Sequence, residues 1–189
     1  MPGERAGCDL AGVIIRRLWS ATNPLRNFNY LIACPETGEA LAIDPLDHAA
    51  CLAEAKRQGW SITQVLNTHE HADHTGGNAA VIAATGAKLL AHHAARIDGI
   101  DIGLKAGAAI RIGKRVELEV LDTPGHTLAH VCVLAHGEQA ALFTGDTLFN
   151  AGVGNCHFGG DVNRLYDTCA GQIARLGDRL RIFPGHDYL

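Results

Sequence analysis

The sequence predicts an α+β fold in which two mainly β layers are flanked by helices. Apolar runs of strand length recur through both halves of the 189 residues, and each half contains helically spaced segments able to cover one sheet face. No Pro-, Ser- or charge-rich linker interrupts the chain, and no repeat at solenoid periods is present, so one domain is expected. A composition of 47% hydrophobic and 19% charged residues is that of an ordinary globular protein, neither disordered nor repetitive.

The elements follow in order. Gly12–Leu18 (GVIIRRL), Phe28–Cys34 (FNYLIAC) and Ala40–Asp44 (ALAID) read as three early strands, the last stopped by Pro45. Leu46 to Gln58 has helical spacing and a Gly59 stop. Gln64–Thr68 is a short strand leading into a His-rich turn. Thr75 to Thr85 reads as an Ala-rich helix closed by Gly86, and Ala87–Ala91 as a buried strand. In the second half Ala109–Ile112, Val116–Leu121, Val131–Ala135 and Ala140–Thr144 are predicted strands. A helix over Asn163 to Leu176 stops at Gly177, and Leu180–Phe183 is a last strand.

Charge and cysteine usage narrow the function classes. A formal net charge of −4 gives no electrostatic footprint for nucleic acid or anionic membrane. No apolar run approaches the roughly 18 residues of a membrane span, and the N-terminus has no apolar signal segment. The six cysteines contain no CxxC pair and do not resemble a disulfide framework, so a reduced, cytoplasmic setting is the expectation. Histidine stands out: there are 11, and imidazole is the commonest metal-binding side chain.

The chemistry concentrates in Thr68-His69-Glu70-His71-Ala72-Asp73-His74. Along an extended strand end, alternate side chains share a face, so His69 and His71 point together. A following turn can bring Asp73 and His74 around to a second ion. Imidazole nitrogens and carboxylate oxygens suit Zn²⁺, and also Fe or Mn. A zincin reading fails, because HExxH needs His where Asp73 stands. Four such residues could serve one metal alone, so three further polar residues after Gly-marked strand ends matter. They are His126 in TPGHT, Asp146 in TGDT and His186 in PGHD. Glycine there lets the backbone turn sharply and aim the next side chain into a cleft.

With THEHADHTGG, DTPGHT, LFTGDTLF and PGHDY in this order, the sequence resembles the metallo-β-lactamase superfamily, and within it the glyoxalase II-like hydrolases. The resemblance implies a four-layer αββα sandwich spanning 1–189, with metals at one end of the paired sheets. It implies that His69, His71 and His126 bind one metal, that Asp73, His74 and His186 bind a second, and that Asp146 bridges them. Asp44, before Pro45, resembles the family's acidic residue that supports the ligands from behind. Two divalent ions, Zn foremost with Fe or Mn as alternatives, would supply a metal-bridging hydroxide that attacks a thioester carbonyl, with Asp73 orienting the nucleophile. The substrate class implied is a small hydroxyacyl thioester such as S-lactoylglutathione. The helical C-terminal domain that helps full-length glyoxalase II enzymes bind glutathione is not expected.

Several residues discriminate within the superfamily. Asp146 stands where β-lactamases typically have Cys or Ser, and His71 where flavodiiron-type members have Glu. Lactonases and esterases make similar demands on the site. The alternative of different chemistry is a persulfide dioxygenase, with one iron on His69, His126 and Asp146. After the bridging Asp, glutathione-thioester hydrolases usually show GCG-(Arg/Lys) and then an aromatic residue. Here Asn155 replaces the basic residue and His157 takes the aromatic place, making both candidate substrate contacts. A Cys156/His157 nucleophile pair is disfavoured, because adjacent loop side chains seldom face each other. His48, His92, His93, His130 and His136 are expected at the surface or at helix ends.

Overall fold

A computed structural model of the chain describes residues 7–10, 12–20, 23–137 and 140–188, the first four by their backbone. Seven strands form the first sheet in chain order: β1 (Gly7–Leu10), β2 (Val13–Trp19), β3 (Phe28–Ala33), β4 (Glu39–Ile43), β5 (Ser61–Leu66), β6 (Lys88–His92) and β7 (Ile102–Leu104). β1 to β4 pair antiparallel, and β4 to β7 parallel. The second sheet is ordered β12-β11-β10-β9-β8, from β8 (Ala109–Ile112), β9 (Val116–Asp122), β10 (Val131–Ala135), β11 (Ala141–Gly145) and β12 (Arg181–Pro184). Only β11 and β12 run parallel there.

Period-two alternation sorts the side chains into layers. In β3, Tyr30 and Ile32 enter the core between the sheets, while Leu31 and Ala33 face the helices on the outer side. In β10, Val131 and Val133 enter the central core, and Cys132 and Leu134 face outward to Ile173. Helices α1 (His48–Gln58) and α3 (Asn78–Thr85) cover the first sheet through Cys51, Ala55 and Val81. α4 (Val162–Gly171) is continued by a 3₁₀ turn at Ile173–Arg175, whose Ile173 covers the outer face of the second. The expected four-layer αββα sandwich is the architecture observed. Among the described residues no helix is long and apolar enough to cross a membrane.

Local chemistry sets the helix limits. α1 begins at His48, two residues later than predicted, because the Asp47 side chain caps it by accepting from the Ala50 N–H at 3.0 Å. The predicted helix over 75–85 is broken instead. A single turn, α2 (Ala72–Thr75), ends before α3 starts at Asn78. The break falls at Gly77, where any Cβ would collide with the Pro45 carbonyl oxygen. α4 stops at Gly171, earlier than predicted, and its start is capped by the Asp161 side chain on the Asn163 and Arg164 N–H groups. Sequence reading missed β1 and β7.

Candidate metal centre

All the candidate ligands leave the carboxyl ends of strands at one edge of the sandwich. His69 and His71 follow β5, and α2 then turns Asp73 and His74 back toward them. His126 lies in the loop after β9, Asp146 directly follows β11, and His186 follows β12. The structure therefore brings together the residues the sequence singled out, from both sheets. His69, His71 and His126 offer one donor atom each within 4.8 Å of one another, and Asp73, His74 and His186 do the same. Asp146 faces both groups. Its Oδ2 lies 3.5 Å from His126 Nε2 and 3.2 Å from His186 Nε2, and its Oδ1 lies 3.3 Å from His74 Nε2. The backbone at Gly185 packs so tightly here that a Cβ would strike Asp146 Oδ1.

The hydrogen bonds behind the rings decide what fits between them. Each outward-facing nitrogen meets an acceptor. His126 Nδ1 donates to the Asn155 carbonyl (2.6 Å), His186 Nδ1 to the Leu25 carbonyl (2.7 Å) and His71 Nε2 to the Phe158 carbonyl (3.1 Å). His74 Nδ1 donates to Asp44 Oδ2 (2.9 Å). Thr68 spends its hydroxyl proton on Asp44, so its lone pair accepts from His69 Nδ1 at 3.0 Å. With one ring proton held outside, each ring turns its other nitrogen inward, as a lone pair wherever the ring is neutral. His71 Nδ1 then lies 3.0 Å from both His69 Nε2 and His126 Nε2, and His74 Nε2 lies 3.2 Å from His186 Nε2. Lone pairs at that spacing repel unless a cation lies among them. Asp146 Oδ1, buried and without a hydrogen-bond donor, is a further open acceptor. The donor set fits divalent metal.

Charge states agree with that use. Burial, assisted by the neighbouring imidazoles, pushes His69 well below the ordinary histidine value, and burial also lowers His126 against the pull of Asp146. Burial opposes ionisation of Asp146, but His74 and His186 outweigh it and hold its carboxyl below the usual range. His74 is the exception. Despite burial, Asp146 and Asp44 raise it to about 9, so in the metal-free protein a proton occupies the place a cation would take.

Asp44 anchors the cluster from behind. It is 2% exposed, and its carboxylate accepts from the Thr68 N–H (2.8 Å), the Thr68 hydroxyl (2.7 Å) and His74. Its φ of 47° is a costly conformation for a non-glycine residue, retained where the chain bends from β4 toward the site.

A correction concerns His130. The sequence places it at the surface or at a helix end, but it is fully buried before β10 and lies nearly parallel to the His69 ring, with centroids 5.1 Å apart. Its Nε2 accepts from the Asp146 N–H at 3.3 Å, and Nδ1 faces the Thr123 and Thr147 hydroxyls. His92 is likewise buried, facing Asp122 at 3.5 Å. Sequence reasoning also passed over Asn27, whose amide lies against Asp73. The one signal for these residues is a polar side chain at the end of an otherwise apolar strand.

Asn155 and His157 are exposed beside the cluster and line a cavity of about 640 Å³ with Val153, Cys156, Val162 and Leu165. The Asn155 side chain accepts from the His157 N–H, an Asx turn that shapes this loop. Burial and Asp161 raise the Cys156 thiol, against a nucleophile role.

The metallo-beta-lactamase superfamily matches residues 23–186, nearly the whole chain and every candidate ligand. This chain belongs to that superfamily. Among its relatives, a hydroxyacylglutathione hydrolase of a Polaromonas species is 69% identical over 179 residues, which cover 94% of this chain and 68% of the relative. A hydroxyacylglutathione hydrolase of Nitrosococcus oceani is 64% identical with the same coverage, placing the chain in the glyoxalase II-like branch of the superfamily. The crystal structure of ETHE1 from Myxococcus xanthus superposes with a TM-score of 0.84 at 30% identity, covering 93% of this chain and 76% of that one. The likeness extends over the layers of the sandwich.

Proposed function

We propose that the chain is a metal-dependent hydrolase of a small hydroxyacyl thioester, working on two divalent ions of which zinc is the first candidate. The observation that carries this reading is Asp146, whose carboxylate faces both groups of donors, Oδ2 toward His126 of one and His186 of the other, and Oδ1 toward His74. His69, His71 and His126 would hold one ion, Asp73, His74 and His186 the other, and Asp146 both. Divalent ions so held lower the pKa of bound water toward 7 and polarise a carbonyl. The protein's part is orientation. Outward hydrogen bonds fix five rings, Asp44 keeps His74 and Thr68 in place, and Asp73, partly exposed, would accept a hydrogen bond from the nucleophile and orient it. The thioester assignment is supported by the two relatives called hydroxyacylglutathione hydrolases. Asn155 and His157 are proposed substrate contacts at the mouth. A cytoplasmic setting is supported by the five cysteines whose side chains are described, Cys34, Cys51, Cys132, Cys156 and Cys169, which are free thiols.

The test is metal analysis of purified protein with parallel assays of S-lactoylglutathione hydrolysis and persulfide-dependent O₂ consumption. Two metals per chain with thiol release are expected. One iron with O₂ uptake would overturn the reading in favour of a dioxygenase.

A further inference from the structure

The two groups of donors are braced by different loops. His71 and His126 donate to the carbonyls of Phe158 and Asn155, both in the segment between β11 and α4. The other group rests on residues 23–27, which lead into β3. There the Leu25 carbonyl accepts from His186 Nδ1, and Arg26 pairs with Asp187 at 2.8 Å. Phe28 N–H donates to the Gly185 carbonyl, and Asp187 N–H to the Arg26 carbonyl, so this turn is laced to the strand end that carries His186.

Asn27 makes the contact that matters most. It is 1% exposed, and its Nδ2 donates to both the backbone oxygen of Asp73 (3.1 Å) and the carboxylate oxygen Oδ2 (3.2 Å). That same Oδ2 lies 3.4 Å from His186 Nε2 and 3.5 Å from His74 Nε2. The orientation of the amide is set from outside. Asn23 Nδ2 donates to Asn27 Oδ1 at 2.5 Å, and Asn23 is itself held by the Leu25 N–H on its own Oδ1. With its oxygen engaged on one side, Asn27 presents a donor to Asp73 on the other. A flipped amide would set oxygen against carboxylate.

We infer that Asn27 is a positioning residue for the Asp73 carboxylate, and that the relay Asn23–Asn27–Asp73 secures the second ion independently of the first. The inference rests on the two-ion reading above. Asp73 is the ligand that needs this help. Its side chain is 25% exposed, against 9% for Asp146, and it sits on a four-residue helix. Without a clamp, the carboxylate would sample rotamers that leave the second ion with His74, His186 and Asp146 alone. Removing a partner behind a ligand typically weakens metal binding 10–100-fold.

The experiment is a Zn²⁺ titration of the metal-free protein against a chromophoric chelator, with elemental analysis of the loaded product, for wild type, Asn27→Ala and Asn23→Ala. Wild type is expected to take two ions. Asn27→Ala should keep the first at wild-type affinity and bind the second about 10–100-fold more weakly. Asn23→Ala, a change at a partly exposed turn residue that spares the fold, should weaken the second ion several-fold, because the amide loses its orientation. Two ions at wild-type affinity in both variants would overturn the positioning role. So would parallel loss of both ions, which marks a merely structural residue. A wild-type chain that takes one ion sinks the two-ion reading itself, and the inference with it.

Discussion

At the scale of single residues, the site depends on groups that touch no ligand position. His130 is the clearest. Its imidazole gives the buried Asp146 N–H an acceptor and faces two threonine hydroxyls, so its loss strands several buried polar groups together. An unpaired buried donor costs about 1–3 kcal/mol. His130→Leu, which fills comparable volume without the nitrogens, should therefore lower unfolding stability by roughly 2–4 kcal/mol in urea titrations. A variant within about 0.5 kcal/mol of wild type would show that the ring merely fills space. The sequence distinguishes His126 from His130 poorly, for both lie in one short loop. Gly125 marked the first, whereas the second is buried by the packing of the two sheets, which no local pattern encodes. The seven proposed ligands were legible because each follows a strand and a turn signal. Asn27 was not, since an asparagine at a strand end is ordinarily a turn residue.

Among the elements, β11 shows how a strand end aims a ligand. Its pairing with β12 shifts register between Phe143 and Gly145, the irregularity by which a strand redirects the side chain that follows. Gly145 then adopts φ 47°, and a Cβ there would sit 2.6 Å from Thr68 Oγ1 and 2.9 Å from His130 Nε2. Gly145→Ala thus carries two penalties, a left-handed backbone and a collision with the residues that hold Asp44 and Asp146. The expected outcome is a loss of about 1–3 kcal/mol in stability together with reduced metal content after purification. Full metal content with unchanged stability would refute the claim that this turn sets the aspartate. Long apolar strands such as β3, β10 and β11 were readable from their runs. β7 was not, because three residues with Gly103 at the centre carry no alternation, and it is a strand only by pairing with β6. The division of α2 from α3 was hidden for a similar reason. It arises from contact between Gly77 and Pro45, 32 positions apart in the sequence.

For the molecule as a whole, the cluster joins the two sheets at one edge. His69, His71, Asp73 and His74 come from the first sheet, and His126, Asp146 and His186 from the second. Apolar packing between the sheets is continuous elsewhere, through residues such as Tyr30, Phe143 and Phe183 with edge-on and stacked rings. At the site that packing gives way to imidazoles and carboxylates, which gain nothing from burial without a cation. Because the donors are assembled only in the folded chain, ions bind the native state in preference to the unfolded one. The stabilisation is about 2.7 kcal/mol when free ion stands at 100 times the dissociation constant. For a chain of this size that corresponds to a melting temperature about 5–11 °C higher in the loaded protein. Scanning calorimetry before and after removal of metal by a chelator measures it. The melting temperature should fall by that amount, recover on adding back Zn²⁺, and rise with Zn²⁺ concentration. Equal melting temperatures in the loaded and stripped protein would mean that the sheets close without the ions and that the cluster contributes nothing to holding the sandwich shut.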